Sequence, residues 1–378
     1  MMTGLVDLLP FSPTAAWLPW AVQYFFLMGL SVGSLVLSLP GMAFGRASWR
    51  SASRLALVAA LALGVTAPVA LLADLHHPGR FLNFYLHPQA SSWMSRGSFF
   101  IPLYLGGLLV YAWQALRADM AAAGRASSGP RALRLLYRRL GGPSRPALIR
   151  TGALAASAGA ALIALYTGNE VAAVAARPLW HSPVLPWAFL ATALMGAAGL
   201  GLALTHLAGD GDPMAARAFR RALAPLALMS LAVLGLWALP AAGGAGPAEG
   251  LAALNRSPSW RIVLWGVPIL TGIALALASV PWTAGHRGTG HRGAGRWSAL
   301  ATGALALVAA WLFRWGVLIG GQSVARTADR LIPFRLPWGG EGLLGIAASL
   351  GLAVATGILL FVFLPSPARP ATSDRKGV

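Results

Sequence analysis

WLPWAVQYFFLMGLSVGSLVLSLPGMAF, residues 17–44, contains no Asp, Glu, Lys, Arg or His. A bilayer core of about 30 Å needs roughly 20 apolar residues per helix, so this stretch is long enough to cross. Inside lipid its backbone must satisfy its own hydrogen bonds, which makes it a helix. Eight more stretches pass the same test, at about 52–74, 97–116, 149–174, 184–207, 222–240, 260–281, 297–319 and 341–364. The expected architecture is all-α and integral to the membrane, with nine transmembrane helices in one polytopic domain over 1–378 and a tail at 365–378. Composition points the same way, with 57% of residues hydrophobic and 10% charged. The opening MMTGLVDLLPFSP lacks a basic segment, so the first helix is expected to be retained and no signal peptide cleaved.

The net charge is +19, a balance that in a soluble protein would suggest nucleic acid. Here the cations sit in short loops between apolar runs. Twenty of the 29 Lys and Arg fall in loops 1–2, 3–4, 5–6 and 7–8 and the C-terminal tail, eight fall in the other loops, and Arg314 lies within a helix. The richer side is read as cytoplasmic, placing the N-terminus outside and the C-terminus inside, with no nucleic-acid partner. The 117–148 connection, with five Arg between 131 and 145, is then a cytoplasmic positive-inside loop. Trp17, Trp20, Trp93, Trp180, Trp187, Trp260 and Trp338 become anchors at the outer interface. The GHRGTGHRGAGR stretch at 285–296 reads as a low-complexity linker.

Ionisable groups at membrane depth are costly and therefore informative. Gln23 and Tyr24 lie near the outer end of helix 1, Asp74 ends helix 2, and Tyr166, Asn169 and Glu170 occupy the outer part of helix 4. Arg314 lies toward the outer end of helix 8, and Gln322 and Glu341 are read as interfacially solvated. The inner half holds almost nothing comparable. This asymmetry suggests an outward-opening polar pocket for an amphipathic ligand, and a quinone suits it: its oxygens need hydrogen-bond partners and its oxidation needs a base. The alternative is that these groups satisfy one another between helices. The chain has no Cys, which excludes disulfides and thiolate-held iron–sulfur clusters within it. Six of the seven His fall in loops or at interfaces, with His206 at a helix end, so no bis-His haem and no metal site is expected. His76 and His77 beside Asp74 leave an external relay open, with an ordered loop as the simpler reading.

WLPWAVQYFFLMGLSVGS (17–34), ADLHHPGRFLNFYLHPQASSWMSRGSFFIPL (73–103), YTGNEVAAVAARPLWHSPVLPWAFLATAL (166–194) and RWGVLIGGQ (314–322) together resemble the NrfD-type membrane subunits of the polysulfide reductase family, in particular the tetrathionate reductase type. The resemblance implies a pair of four-helix bundles, here with one extra helix, in the bacterial cytoplasmic (inner) membrane. It implies a respiratory complex in which this subunit oxidises quinol, typically menaquinol, near the outer face. Electrons would pass to a ferredoxin-like, four-cluster iron–sulfur subunit and on to a molybdopterin catalytic subunit, with no haem or cluster in this chain.

By the same resemblance, the quinone head is held by a polar residue near the outer end of helix 1, here Gln23 or Tyr24 where the family has Asn or His, and by Tyr166, with Asn169 beside it. Asp74 opens the D-L-x-x-P-x-R-F motif that Arg80 and Phe81 complete, and Asp74 or Glu170 would accept protons. The partner cluster is expected on loops 75–96 and 175–183, where Arg177 and Trp180 suit an interface. Arg314 is expected to pair with Glu170 or Asp74. Asp74 and Arg80 forming a loop-shaping ion pair is the structural alternative. Two other classes stay open: a proton-translocating or transporter module, which needs polar groups continuing to the cytoplasm, and a purely structural anchor. Within the preferred class, tetrathionate is the expected acceptor, with other sulfur or arsenic oxyanions as alternatives.

Overall fold

In the computed structural model, the described residues are 17–75, 77–125, 130–208, 211–240, 246–280, 291–325 and 330–364. They form α1 (Pro19–Met42), α2 (Arg50–Asp74), α3 (Asn83–Leu86), α4 (Trp93–Arg125), α5 (Arg131–Leu140), α6 (Pro146–Ala172), α7 (Leu185–Leu207), α8 (Pro213–Ala238), α9 (Pro247–Asn255), α10 (Pro258–Ser279), α11 (His291–Trp315), α12 (Gly321–Ser323) and α13 (Leu343–Phe363). A π-helical turn, Gly316–Gly320, joins α11 to α12. Among the described residues nine helices are long and apolar enough to span a bilayer. The tail at 365–378, the 285–290 part of the linker and His76 lie outside the described residues.

Proline sets where these helices begin. Pro19, Pro146, Pro186, Pro213, Pro247 and Pro258 each occupy the first turn, where a missing N–H is no loss. At α8 the Asp212 side chain adds a cap by accepting from the Met214 N–H at 2.8 Å. Apolar length sets where a span crosses but not where its helix stops. Thus α4 continues past the expected 116 to Arg125, and Arg54 of α2 pairs with Asp119 on this extension.

The spans assemble as two groups of four. In the first, α1 packs on α2 and α4 on α6; in the second, α7 packs on α8 and α11, and α10 on α8 and α11. Contacts of α1 and α6 with α7 join the groups, and α13 lies against α2. Much of α13 faces outward, with Leu344, Val354, Ile358 and Val362 exposed, as suits a helix in lipid.

The first group has a layered interior. Tyr24, Ser31 and Ser38 follow one another at seven-residue intervals on α1, as do Gly97, Tyr104 and Tyr111 on α4 and Tyr166, Gly159 and Gly152 on α6. Seven residues make nearly two turns, so each set lies along one face. The Ser31 and Tyr104 hydroxyls hydrogen-bond at 2.7 Å, and Ser31 also donates to the Ala60 carbonyl of α2. A full seven residues further along, Ser38 donates to the Tyr111 hydroxyl at 3.2 Å. The half expected to be nearly without polar groups therefore carries paired hydroxyls, buried and satisfied between helices.

Candidate functional site

The site grows from the start of α1. Leu18, the residue before the helix, donates its N–H to Asp74 Oδ1 at 3.0 Å, so the last residue of α2 places a carboxylate at the positive end of α1. Trp17 N–H donates to Gln322 Oε1, and Gln322 Nε2 donates back to the Trp17 carbonyl, both at 2.9 Å. Gln322 is thus a buried clamp on the entering chain rather than an interfacially solvated residue. The Trp17 ring stacks on Phe25 at 5.6 Å and on Trp180 at 5.4 Å.

Beneath this entry, Tyr24 of α1 meets Tyr166 and Glu170 of α6. Tyr166 and Glu170 are four residues apart and share a face, hydroxyl against carboxylate, and Asp74 lies close enough for its charge to act on Glu170. Tyr24 and Tyr166 are 0% and 1% exposed. The hydroxyl end of the Tyr166 ring lies against α4 at Gly97, where a Cβ would come 2.2 Å from the ring, so Gly97 is what admits the tyrosine. The Tyr24 hydroxyl approaches that of Tyr166 yet makes no directed hydrogen bond. A buried hydroxyl without a partner is expensive, and such groups mark places where something else completes the network.

The remaining expected site residues divide. Gln23 faces away from Tyr166: its Oε1 accepts from the Trp311 indole of α11 at 3.3 Å, and its buried Nε2 has no partner. Tyr24, not Gln23, is therefore the α1 residue beside Tyr166, because one position along a helix turns a side chain by about 100°. Asn169 donates to the Leu165 carbonyl of its own helix at 2.7 Å, on an exposed flank. Arg80 is exposed and lines a cavity of about 500 Å³ with His77, Phe84 and His87.

Arg314 corrects the expectation of a carboxylate partner. The side chain is 1% exposed and donates to the carbonyls of Phe25 (3.0 Å), Phe189 (3.1 Å) and Ala310 (2.8 Å) and to Thr192 Oγ1 (3.3 Å). Helix carbonyls retain a second lone pair after the intrahelical bond, and a guanidinium with five donors can gather several of them at once. A Cβ at Gly29 would lie 2.7 Å from Nη2, so Gly29 makes the room. The expected interface role of Trp180 is corrected too. It is 4% exposed and its indole donates to the Val317 carbonyl of the π turn at 2.6 Å, so it packs inside the protein. Arg177 donates from Nη1 to the Gln322 and Val324 carbonyls at 3.1 and 2.8 Å, which fastens the segment after α12. Among the described residues no three His, Asp or Glu side chains gather as a metal site.

The grouping of the helices and the acidic cluster at the ends of α2 and α6 meet the comparison with known proteins here. The family model "Polysulphide reductase, NrfD" matches residues 9–325. This chain belongs to the NrfD family. The match takes in both four-helix groups and ends before α13, which leaves that helix as an addition to the NrfD core. A tetrathionate reductase subunit of Salmonella typhimurium (strain LT2) is 30% identical over 350 residues, covering 91% of each chain. A selenate reductase subunit of Mesobacillus selenatarsenatis is 26% identical over 217 residues, 53% of this chain and 51% of that protein. The NrfD chain described here is a multi-pass membrane protein.

Proposed function

We propose that this NrfD protein is the membrane anchor and quinol-oxidising subunit of a respiratory molybdoenzyme complex, passing electrons to an iron–sulfur subunit for reduction of tetrathionate. The observation that carries the proposal is the Tyr24–Tyr166–Glu170 row beside Asp74, its tyrosines buried and its carboxylate half-buried, with the Tyr24 hydroxyl making no directed hydrogen bond. Two hydroxyls suit a quinol oxygen, and a carboxylate suits its proton. A bound quinol supplies two electrons and two protons. Tyr24 and Tyr166 would hold its oxygen. Glu170 would take the two protons one after the other through Tyr166, and Asp74, at the end of α2, would pass each to the membrane face on which α1 begins. That face is the outer one by the distribution of Lys and Arg.

The loop between α2 and α4 supports docking of a partner on the same face. Leu82, Tyr85 and Leu86 are 53%, 39% and 69% exposed there, beyond the spans and beside Arg80. Apolar groups displayed in this way mark interaction surfaces. The existence of further subunits, and tetrathionate as acceptor, are drawn from the Salmonella relative, a subunit of tetrathionate reductase; the iron–sulfur and molybdopterin partners are what the motif resemblance implies. The test is menaquinol-driven tetrathionate reduction by the reconstituted complex. Tyr166→Phe should lower the rate by roughly 10- to 100-fold with the complex intact. An unchanged rate would move the quinol site elsewhere or leave this chain a structural anchor.

A further inference from the structure

A second cavity, of about 440 Å³, lies among α8, α9, α10, the end of α11 and the π turn that follows it, with Leu179 of the loop after α6 also on its wall. Its volume is within the roughly 300–1,000 Å³ common for ligand pockets. Leu234, Leu251, Val263 and Val317 make its walls apolar, and it lies between α8 and α10, whose Leu236, Ile262 and Trp265 are exposed. Trp237 also lines it. This side chain is 6% exposed, is held edge-on against Phe313 at 5.7 Å, and has an indole N–H with no hydrogen-bond partner. An apolar cavity in a membrane protein with one buried, unsatisfied donor fits a chain that carries an acceptor near its end.

We infer that this groove binds one phospholipid, its acyl chain against Leu234 and Val263 and its ester carbonyl accepting from the Trp237 N–H. The choice of a phospholipid rests on charge. Arg256 and Arg261 are exposed in the sequence segment that supplies the groove residues Asn255 and Val263. Neither arginine lines the cavity; Arg256 lies just before α10 and Arg261 in its first turn, and cations at that membrane surface suit a phosphate. A neutral isoprenoid quinone has the carbonyl and the chain but no use for the two arginines. The lipid would also complete the packing of the π turn, whose Val317 carbonyl holds Trp180.

The test strips the full-length detergent-purified chain, reloads it with dioleoylphosphatidylglycerol in mixed micelles, and counts retained lipid by native mass spectrometry. Gly235→Leu should abolish retention: a Cβ at Gly235 meets nothing within 4 Å, so the substitution fills the groove without a backbone clash. Trp237→Phe keeps the ring but removes the N–H, and should weaken binding by roughly tenfold. Arg256→Gln with Arg261→Gln should weaken phospholipid and leave added menaquinone unaffected. Equal retention in the wild type and in correctly folded Gly235→Leu would overturn the site. If Gly235→Leu fails to fold, unchanged affinity in Trp237→Phe would overturn it instead. Menaquinone retained in place of phospholipid, with no response to the arginine changes, would overturn the choice of ligand.

Discussion

α1 meets α4 through hydroxyls, whereas α7 and α11 meet through little more than backbone. In the first group Ser31–Tyr104 and Ser38–Tyr111 lie in successive layers below Tyr24 and Tyr166. In the second, Gly199 faces Ala306 and Gly303, and a Cβ at Gly303 would lie 2.5 Å from the Gly199 carbonyl. Both are ways of associating helices in lipid, where the hydrophobic effect does not draw helices together: one uses interhelical hydrogen bonds, the other close van der Waals approach between small residues. The hydroxyl-bearing group is also the one that carries Tyr24, Glu170 and Asp74. Arg314 bridges the groups, taking carbonyls from α1 and α7. The difference teaches that the tyrosine hydroxyls and the carboxylates are gathered in one half, while α7 and α11 of the other half are held by the close approach of small residues.

The contrast can be broken most sharply at Glu170. If proton acceptance resides in the first group, Glu170→Gln should lower quinol-driven turnover of the assembled complex by about 10²- to 10⁴-fold, and a rate within threefold of wild type would remove the carboxylate from the chemistry. Arg314 tests whether the groups depend on one another. Arg314→Ala leaves a void and strips donors from Phe25 and Phe189, and should cost about 3 kcal/mol in reversible unfolding in mixed micelles. Gly303→Leu sharpens the account of the second group, because overpacking α7 against α11 should cost roughly 1–3 kcal/mol in the same assay. The smallest effect belongs to Ser31→Ala. Loss of the Tyr104 and Ala60 partners should cost about 0.6–1.7 kcal/mol, the range for single hydrogen bonds between membrane helices, and a larger loss would make the hydroxyl layers the main tie of the first group.

Much of this was legible in the residues. Spans follow from apolar length, and the gathering of Asp74, Tyr166 and Glu170 at one end of their helices follows from counting along each span. The partner of each polar group did not follow. Arg314 was expected to seek a carboxylate, the cheapest partner for a buried cation in a pairwise view, and instead takes three carbonyls and a threonine hydroxyl. Trp180 has the composition of an interface anchor, but its indole is enclosed by Trp17 and the π turn. The pairing of Ser31 and Ser38 with Tyr104 and Tyr111 escaped a reading that weighed ionisable groups first, although the seven-residue spacing on α1 and α4 was available as a signal.

The sequence by itself determined the number and order of the spans, the absence of thiolate chemistry and the family, because hydropathy, length and motif are properties of a chain read in one dimension. Only the tertiary structure decided that Tyr24 rather than Gln23 stands beside Tyr166, that Gln322 clamps Trp17, and that Arg314 lies between α1 and α7. The physical reason is rotation. Each residue turns a helix by about 100°, so which neighbour a side chain meets depends on how each helix is set against the others. That setting comes from close contacts such as Tyr166 over Gly97 and Arg314 beside Gly29.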